Sequence, residues 1–205
     1  MLKRTPFRVN HISTDVAVYK QVQWIKERRD NMITRGIDHI GITVPDMEQA
    51  TLFLQQAFGA QLAYDHITPD DPPQEGPEAE LKLGLRSGAK VIHIRMLSLG
   101  ESASIELFQY ANTAQSEPVR ASDYGLQHMA LYVDDMQEAT RHFKEAGGVL
   151  LTEPGALTGH IEGGEGNQFV YGRAPWGMLI ELISYPAGIQ YPNHSETKRW
   201  TPRKK

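Results

Sequence analysis

The chain has no cysteine among its 205 residues. That absence removes disulfides, thiolate zinc sites, iron–sulfur clusters and a cysteine nucleophile together. No apolar run approaches the roughly 20 residues that a membrane-spanning helix needs. The opening MLKRTPFRVNH also lacks the apolar centre of a secretory signal. Neither sign of charge dominates: 21 basic and 25 acidic residues leave a net charge of −4. That balance speaks against a general nucleic-acid binder and gives no reason to expect a membrane surface. A cytoplasmic compartment is therefore expected, with neither nucleic acid nor membrane as partner. What is present is ordinary for a globular chain, 40% hydrophobic and 22% charged, which argues against disorder and coiled coil. Eight histidines remain, so any metal chemistry must combine histidine with carboxylate or carbonyl oxygen.

The first 33 residues are set apart as an N-terminal helical extension. Residues 13–30 are predicted helical, with Ser13 or Asp15 as cap and Tyr19, Val22 and Ile25 along one side. A second methionine, Met32, stands immediately before the well-patterned part of the chain. At the other end, residues 191–205 form a basic tail containing Lys198, Arg199, Arg203, Lys204 and Lys205. The tail reads as a solvated terminus, with Trp200 packed on the body or on a partner subunit.

Between these ends the sequence repeats itself. IDHIGITVPDMEQATLFLQQAFG from Ile37 aligns without gaps with LQHMALYVDDMQEATRHFKEAGG from Leu126, at an offset of 89. IELFQY from Ile105 matches IELISY from Ile180 at an offset of 75, so the first copy carries about 14 extra residues. The acidic, proline-rich TPDDPPQEGPEAE from Thr68 is where they are expected. In each copy a strand places apolar residues on one face: Ile40, Ile42 and Val44, then Met129, Leu131 and Val133. A helix follows, opened by Asp46 with Gln49 or Asp135 with Glu138 at capping-box spacing, and stopped at Gly59 or at Gly147–Gly148. Strands are then expected at residues 81–85, 91–97 and 104–110, and at 149–152, 168–172 and 178–184. The fold class is accordingly α+β: two paired βαβββ modules, 34–118 and 119–190, forming a curved mixed sheet around a metal cavity.

The repeat singles out four titratable residues. His39 and His128 point away from the apolar faces of their strands, as do Glu106 and Glu181. A lone strand histidine is ordinarily a hydrogen-bonded core residue, and a lone strand carboxylate ordinarily faces water. Two of each at matching positions of a duplicated module favour a shared site for one divalent ion, Zn, Ni, Co, Mn or Fe.

With these motifs in view, the paired βαβββ modules, the DHIGITVPDMEQA and QHMALYVDDMQEA entries and the two IEL strands resemble the vicinal oxygen chelate superfamily. That superfamily includes glyoxalase I, methylmalonyl-CoA epimerase, extradiol dioxygenases and bleomycin- and fosfomycin-resistance proteins. The resemblance spans about Gly36 to Pro186 and implies His39, Glu106, His128 and Glu181 as metal ligands. A full His, Glu, His, Glu set is similar to glyoxalase I and favours the lyase and isomerase side. The implied reaction is proton abstraction beside the carbonyl of a small-molecule substrate, with the divalent metal stabilising an enediolate. Glu181 is the first candidate for the base, by resemblance to the epimerase, and Glu106 the second. The alternatives are an iron-dependent extradiol-type dioxygenase and a non-enzymatic small-molecule binder of the resistance type. The resemblance also implies a homodimer, with the site inside one chain or shared across two.

Several other features are read as structural. Trp176, in RAPWGMLIEL, is expected to anchor a turn. The glycine-rich GHIEGGEGN from Gly159 is expected to be a surface loop, since no phosphate-binding fingerprint surrounds it, and His160 within it a surface histidine. No glutathione or coenzyme A motif is apparent.

Overall fold

The first strand, β1 (His39–Thr43), is short and immediately followed by the Asp46 cap, whose carboxylate accepts the Gln49 amide at 2.8 Å and starts α1 (Met47–Phe58). Gly59, in the left-handed region at φ 69°, ends that helix by returning its amide to Gln55. Then come β2 (Gln61–Ile67), α2 (Pro77–Leu83), β3 (Lys90–Ser98) and β4 (Ser104–Ala111). The second half repeats the opening: β5 (His128–Tyr132) leads to Asp135, which accepts the Glu138 amide at 3.0 Å and caps α3 (Met136–Glu145). β6 (Val149–Leu150), β7 (Gly155–Ala156), α4 (Gly159–Glu162), β8 (Gln168–Arg173) and β9 (Leu179–Ser184) complete the chain order. The computed structural model describes residues 34–203, so the helix expected at 13–30 and the last two lysines lie outside the described residues. The chain divides into two units, 1–37 and 38–205, and strands β1–β9 and helices α1–α4 all belong to the second.

Two four-strand paths result, in the orders β1-β4-β3-β2 and β5-β9-β8-β6, with β7 also paired to β8. In each, the opening strand runs parallel to the last strand of its module, and the remaining pairs are antiparallel. The α+β architecture of paired βαβββ modules expected from the repeat is present. One strand assignment is corrected. The segment 81–85, read as a strand from alternating Leu81, Leu83 and Leu85, ends a helix instead. Pro77 sits at its N-terminus, Gly84 at φ 66° stops it, and helix-forming Glu, Ala and Lys fill it. The alternation had no sheet to face, and Leu81 is 88% exposed. The missing strand is β2, directly after α1. Its mostly exposed edge position and its two register shifts against β3 left no clean apolar alternation to read. In the second module the corresponding edge is split into β6 and β7.

The core lies where the helices of the two modules meet. Phe53 of α1 and Phe143 of α3 are both fully buried, and their rings pack edge to face at 5.6 Å. Phe53 also takes the edge of Trp176 at 5.4 Å. The tryptophan stands in the turn closed by the Gly177 amide on Ala174, and so anchors that turn across the module boundary. Phe143 fits only because residues 148 and 172 lack side chains: a Cβ at Gly148 or Gly172 would approach its ring to 2.4 or 2.5 Å. Because the helices fill the space between the modules, each sheet turns its other face away from the shared core. Those two outward faces carry the residues of interest.

Candidate active site

On the outward face of the first sheet, Glu106 in β4 lies opposite Gly41 of β1. His39, two residues earlier on the same face of β1, reaches that carboxylate. The His39 Nε2 and a Glu106 oxygen are 3.2 Å apart. The other ring nitrogen, Nδ1, is 2.8 Å from the Asp38 carboxylate. That hydrogen bond raises the His39 pKa; the Glu106 charge adds to the rise, and desolvation opposes it. An Nδ1 tied to a carboxylate leaves Nε2 facing the site, the arrangement common among metal-bound histidines.

The second module builds the same pair with Ala130 in place of Gly41. Glu181 is the register partner of Ala130, and the His128 Nε2 is 3.1 Å from a Glu181 oxygen. This pair is better buried, with Glu181 only 9% exposed. The His128 Nδ1 is buried without a hydrogen-bond partner among the described residues. Tyr171 of β8 stands opposite Glu181, and its ring and that of His128 pack edge to face with centroids 5.3 Å apart. Burial first, and then the Glu181 charge and a hydrogen bond to that carboxylate, push the Tyr171 hydroxyl above its usual range.

The four predicted residues therefore form two pairs instead of one cluster. Among the described residues no group of three or more histidine or acidic side chains is placed to hold a metal ion, so of the two arrangements left open above, this chain by itself does not bring all four together. Strand parity sent each pair to the outward face of its own sheet, as read. What parity does not contain is how the two modules pack, and that packing, through their helices, leaves the two couples separate.

The donors still suit a divalent ion. Two ligand atoms each about 2.1 Å from a metal, at angles from square to tetrahedral, are separated by roughly 3.0–3.4 Å. Both His–Glu distances fall in that interval. His39 with Glu106 and His128 with Glu181 are the residues that would hold the ion, two from each face.

One charged cluster escaped the sequence reading. On the helix-facing side of β3, Arg95 is 7% exposed and spends all its donors. It binds Asp65 through Nε at 2.7 Å and Nη2 at 3.1 Å, Glu48 at 2.9 and 3.0 Å, and the Thr51 hydroxyl at 3.0 Å. Buried His93 adds a contact to Asp65 at 3.1 Å. Arg95 holds the Asp65 carboxyl below the usual carboxylate range, and the carboxylates raise the arginine in return. The available signal was His93 and Arg95 interrupting the apolar run VIHIRML. The cluster borders a cleft of about 340 Å³. Because its arginine is saturated, it braces β2, β3 and α1 and has no donor of that side chain left for a ligand.

The loop from Gly159 is tied down. Buried Asn167 donates to the carbonyls of Glu162 and Gly188 and accepts the Ala187 amide. Exposed His160 touches none of the four candidate residues in any hydrogen bond or ion pair of this loop. The C-terminal tail runs back over the second module: the Tyr185 hydroxyl donates to the Trp200 carbonyl, and Arg199 stacks on Tyr185 while pairing with Glu162 at 3.2 Å. A groove of about 1090 Å³ lies beside edge strands β1 and β5, lined by apolar side chains including Ile40, Phe58, Met129 and Val133.

Comparison with known proteins gives concordant matches. Residues 38–171 match the family model of the glyoxalase/bleomycin resistance protein/dioxygenase superfamily. A 2-epi-5-epi-valiolone epimerase from an Actinomyces species is 34% identical over 170 residues, which cover 82% of this chain and 88% of that protein. Among solved structures, a glyoxalase family protein from Bacillus cereus superposes with a TM-score of 0.58 at 20% identity, over 75% of this chain and 96% of its own. Another, from Enterococcus faecalis, gives 0.52 at 18% identity, over 74% and 99%. At these identities the structural matches speak for the fold alone.

Proposed function

The chain belongs to the glyoxalase/bleomycin resistance protein/dioxygenase superfamily, and from that membership we propose that it is a metal-dependent isomerase that epimerises a carbon beside a carbonyl. The observation that carries this reading is the pair of His–Glu couples, each with its imidazole nitrogen and carboxylate oxygen 3.1–3.2 Å apart. The similarity to a 2-epi-5-epi-valiolone epimerase suggests a polyhydroxylated cyclic ketone as substrate. It weighs for epimerisation over glyoxalase or dioxygenase chemistry.

A divalent ion bound by these residues would supply Lewis acidity at the substrate carbonyl, which lowers the energy of an enediolate. The protein's own part is proton transfer. Glu181 and Glu106 are the carboxylates in reach of a substrate at the site, and either can accept the proton from one face of the carbon. Inversion needs a proton returned to the opposite face, and two carboxylates from different modules suit that task. The flanking aromatic rings of Phe108, Tyr110, Tyr132 and Phe169 lie on the same outward faces. They would exclude water from around the substrate.

Since neither couple gains a third ligand within one chain among the described residues, the site is completed by a second copy. His39 and Glu106 of one protomer then meet the partner's His128 and the partner's Glu181. The edges of β1 and β5, unpaired among the described residues, and the apolar groove beside them support such a homodimer. The test is complementation. His39→Ala and His128→Ala, each inactive alone, are unfolded and refolded together, and carbon-bound proton exchange with deuterium oxide is followed by NMR on polyhydroxylated cyclic ketones. A shared site restores about a quarter of wild-type exchange, because half the dimers are mixed and each mixed dimer has one intact site. No recovery above the single variants would overturn the shared site. Absence of bound divalent metal in the purified wild-type protein would overturn the metal reading.

A further inference from the structure

The two His–Glu couples are repeated, but the residue facing each glutamate across the sheet is not. In the antiparallel pairing of β3 with β4, Glu106 is opposite Met96; in the pairing of β8 with β9, Glu181 is opposite Tyr171. Directly paired residues on one face have neighbouring Cβ atoms, so each of these side chains lies against its glutamate. Methionine has no proton to offer a carboxylate. Tyrosine presents a hydroxyl, and the register sets Tyr171 beside Glu181 while its ring packs edge to face with the His128 ring, their centroids 5.3 Å apart. Phe169 also packs edge to face with Tyr171, with centroids 5.8 Å apart.

We propose that Tyr171 is a positioning residue for the second-module half-site: its hydroxyl holds the Glu181 carboxylate and its ring holds the His128 imidazole. This deepens the metal-dependent reading above and rests on it. The need is physical. The buried His128 Nδ1 has no hydrogen-bond partner among the described residues, so this imidazole lacks the hold that Asp38 gives His39 through Nδ1. The first module orients its histidine through a carboxylate; the second orients both ligands through one tyrosine. Groups that orient metal ligands without touching the ion typically change affinity by about 10- to 100-fold when removed.

The test uses Co²⁺ with the full-length chain, since its visible absorption reports the geometry of nitrogen and oxygen ligands. Tyr171→Phe keeps the ring and removes only the hydroxyl. We expect Co²⁺ to bind about 10- to 100-fold more weakly with shifted absorption bands, while the melting temperature of the metal-free protein stays that of wild type. Met96→Leu, the register counterpart, should leave affinity and spectrum unchanged. Wild-type affinity and spectrum in Tyr171→Phe would overturn the positioning role. So would weaker binding accompanied by a lower metal-free melting temperature, which marks a general packing loss. If wild type itself fails to bind Co²⁺, the failure lies in the metal-dependent reading on which the role depends.

Discussion

The first and second modules share a backbone plan and a His–Glu couple, yet they support that couple in different ways. Register comparison sets Arg95 of β3 against Val170 of β8, and Leu97 against Gly172, as it sets Met96 against Tyr171. The first module thus carries a buried charged brace on its helix face and an aliphatic neighbour beside its glutamate. The second has an aliphatic helix face, a glycine that admits Phe143, and a tyrosine beside its glutamate. Duplication preserved what the backbone and the candidate ligands require. The positions one layer away diverged, because each needed only to pack or brace its own surroundings.

The comparison can be tested at three depths. The largest effect is expected where the modules agree. Glu106→Gln and Glu181→Gln should each slow carbon-bound proton exchange by about 10²–10⁴-fold, the usual weight of a positioned acid–base group. Deuterium wash-in measures it, and near-wild-type exchange in either variant would break the equivalence of the couples.

An intermediate effect is expected where the modules differ. Asp65→Asn leaves Arg95 buried with half of its carboxylate partners and should cost about 3 kcal/mol, the lower end for breaking a buried ion pair. Urea unfolding at neutral pH measures that loss. The pH dependence has a definite sign. Because Arg95 lowers the Asp65 pKa in the folded state, the stabilisation is fully present above the unfolded carboxyl value near 4 and is lost as pH falls through the lower folded value. Wild type should therefore lose this increment on acidification and Asp65→Asn should not. Hydrogen exchange should place the loosening in β2 and β3. Identical acid profiles for the two proteins would show that the brace does not act through this carboxylate.

The smallest effect returns to what is shared. Asp46→Ala and Asp135→Ala each remove one helix-capping hydrogen bond and should each cost about 1 kcal/mol. Near-equal shifts in thermal unfolding are expected. A much larger loss for one cap would show that its loop also serves the module boundary.

The repeat, the capped helices and the facing of His39, Glu106, His128 and Glu181 were legible because they follow from local periodicity. Strand residues alternate sides whatever surrounds them, and an Asp followed three residues later by Gln or Glu caps the next turn locally. Edge strand β2 and helix α2 were not legible. Leu81, Leu83 and Leu85 alternate like a strand, while exposed β2 with its irregular register does not. The buried partners of Arg95 were hidden for another reason: Glu48, Asp65 and Arg95 are far apart in sequence, and their meeting is a product of sheet order.

Local chemistry was thus enough to define two βαβββ units, the face of each strand that carries an imidazole or a carboxylate, and the absence of any thiol alternative. Where those faces point is a matter of long-range packing. Phe53, Phe143 and Trp176 bury their rings against one another, and that apolar contact draws the helices together and turns the His–Glu couples outward. Periodicity specifies the side of a strand, whereas the neighbour a sheet faces depends on which distant apolar surfaces gain most from leaving water.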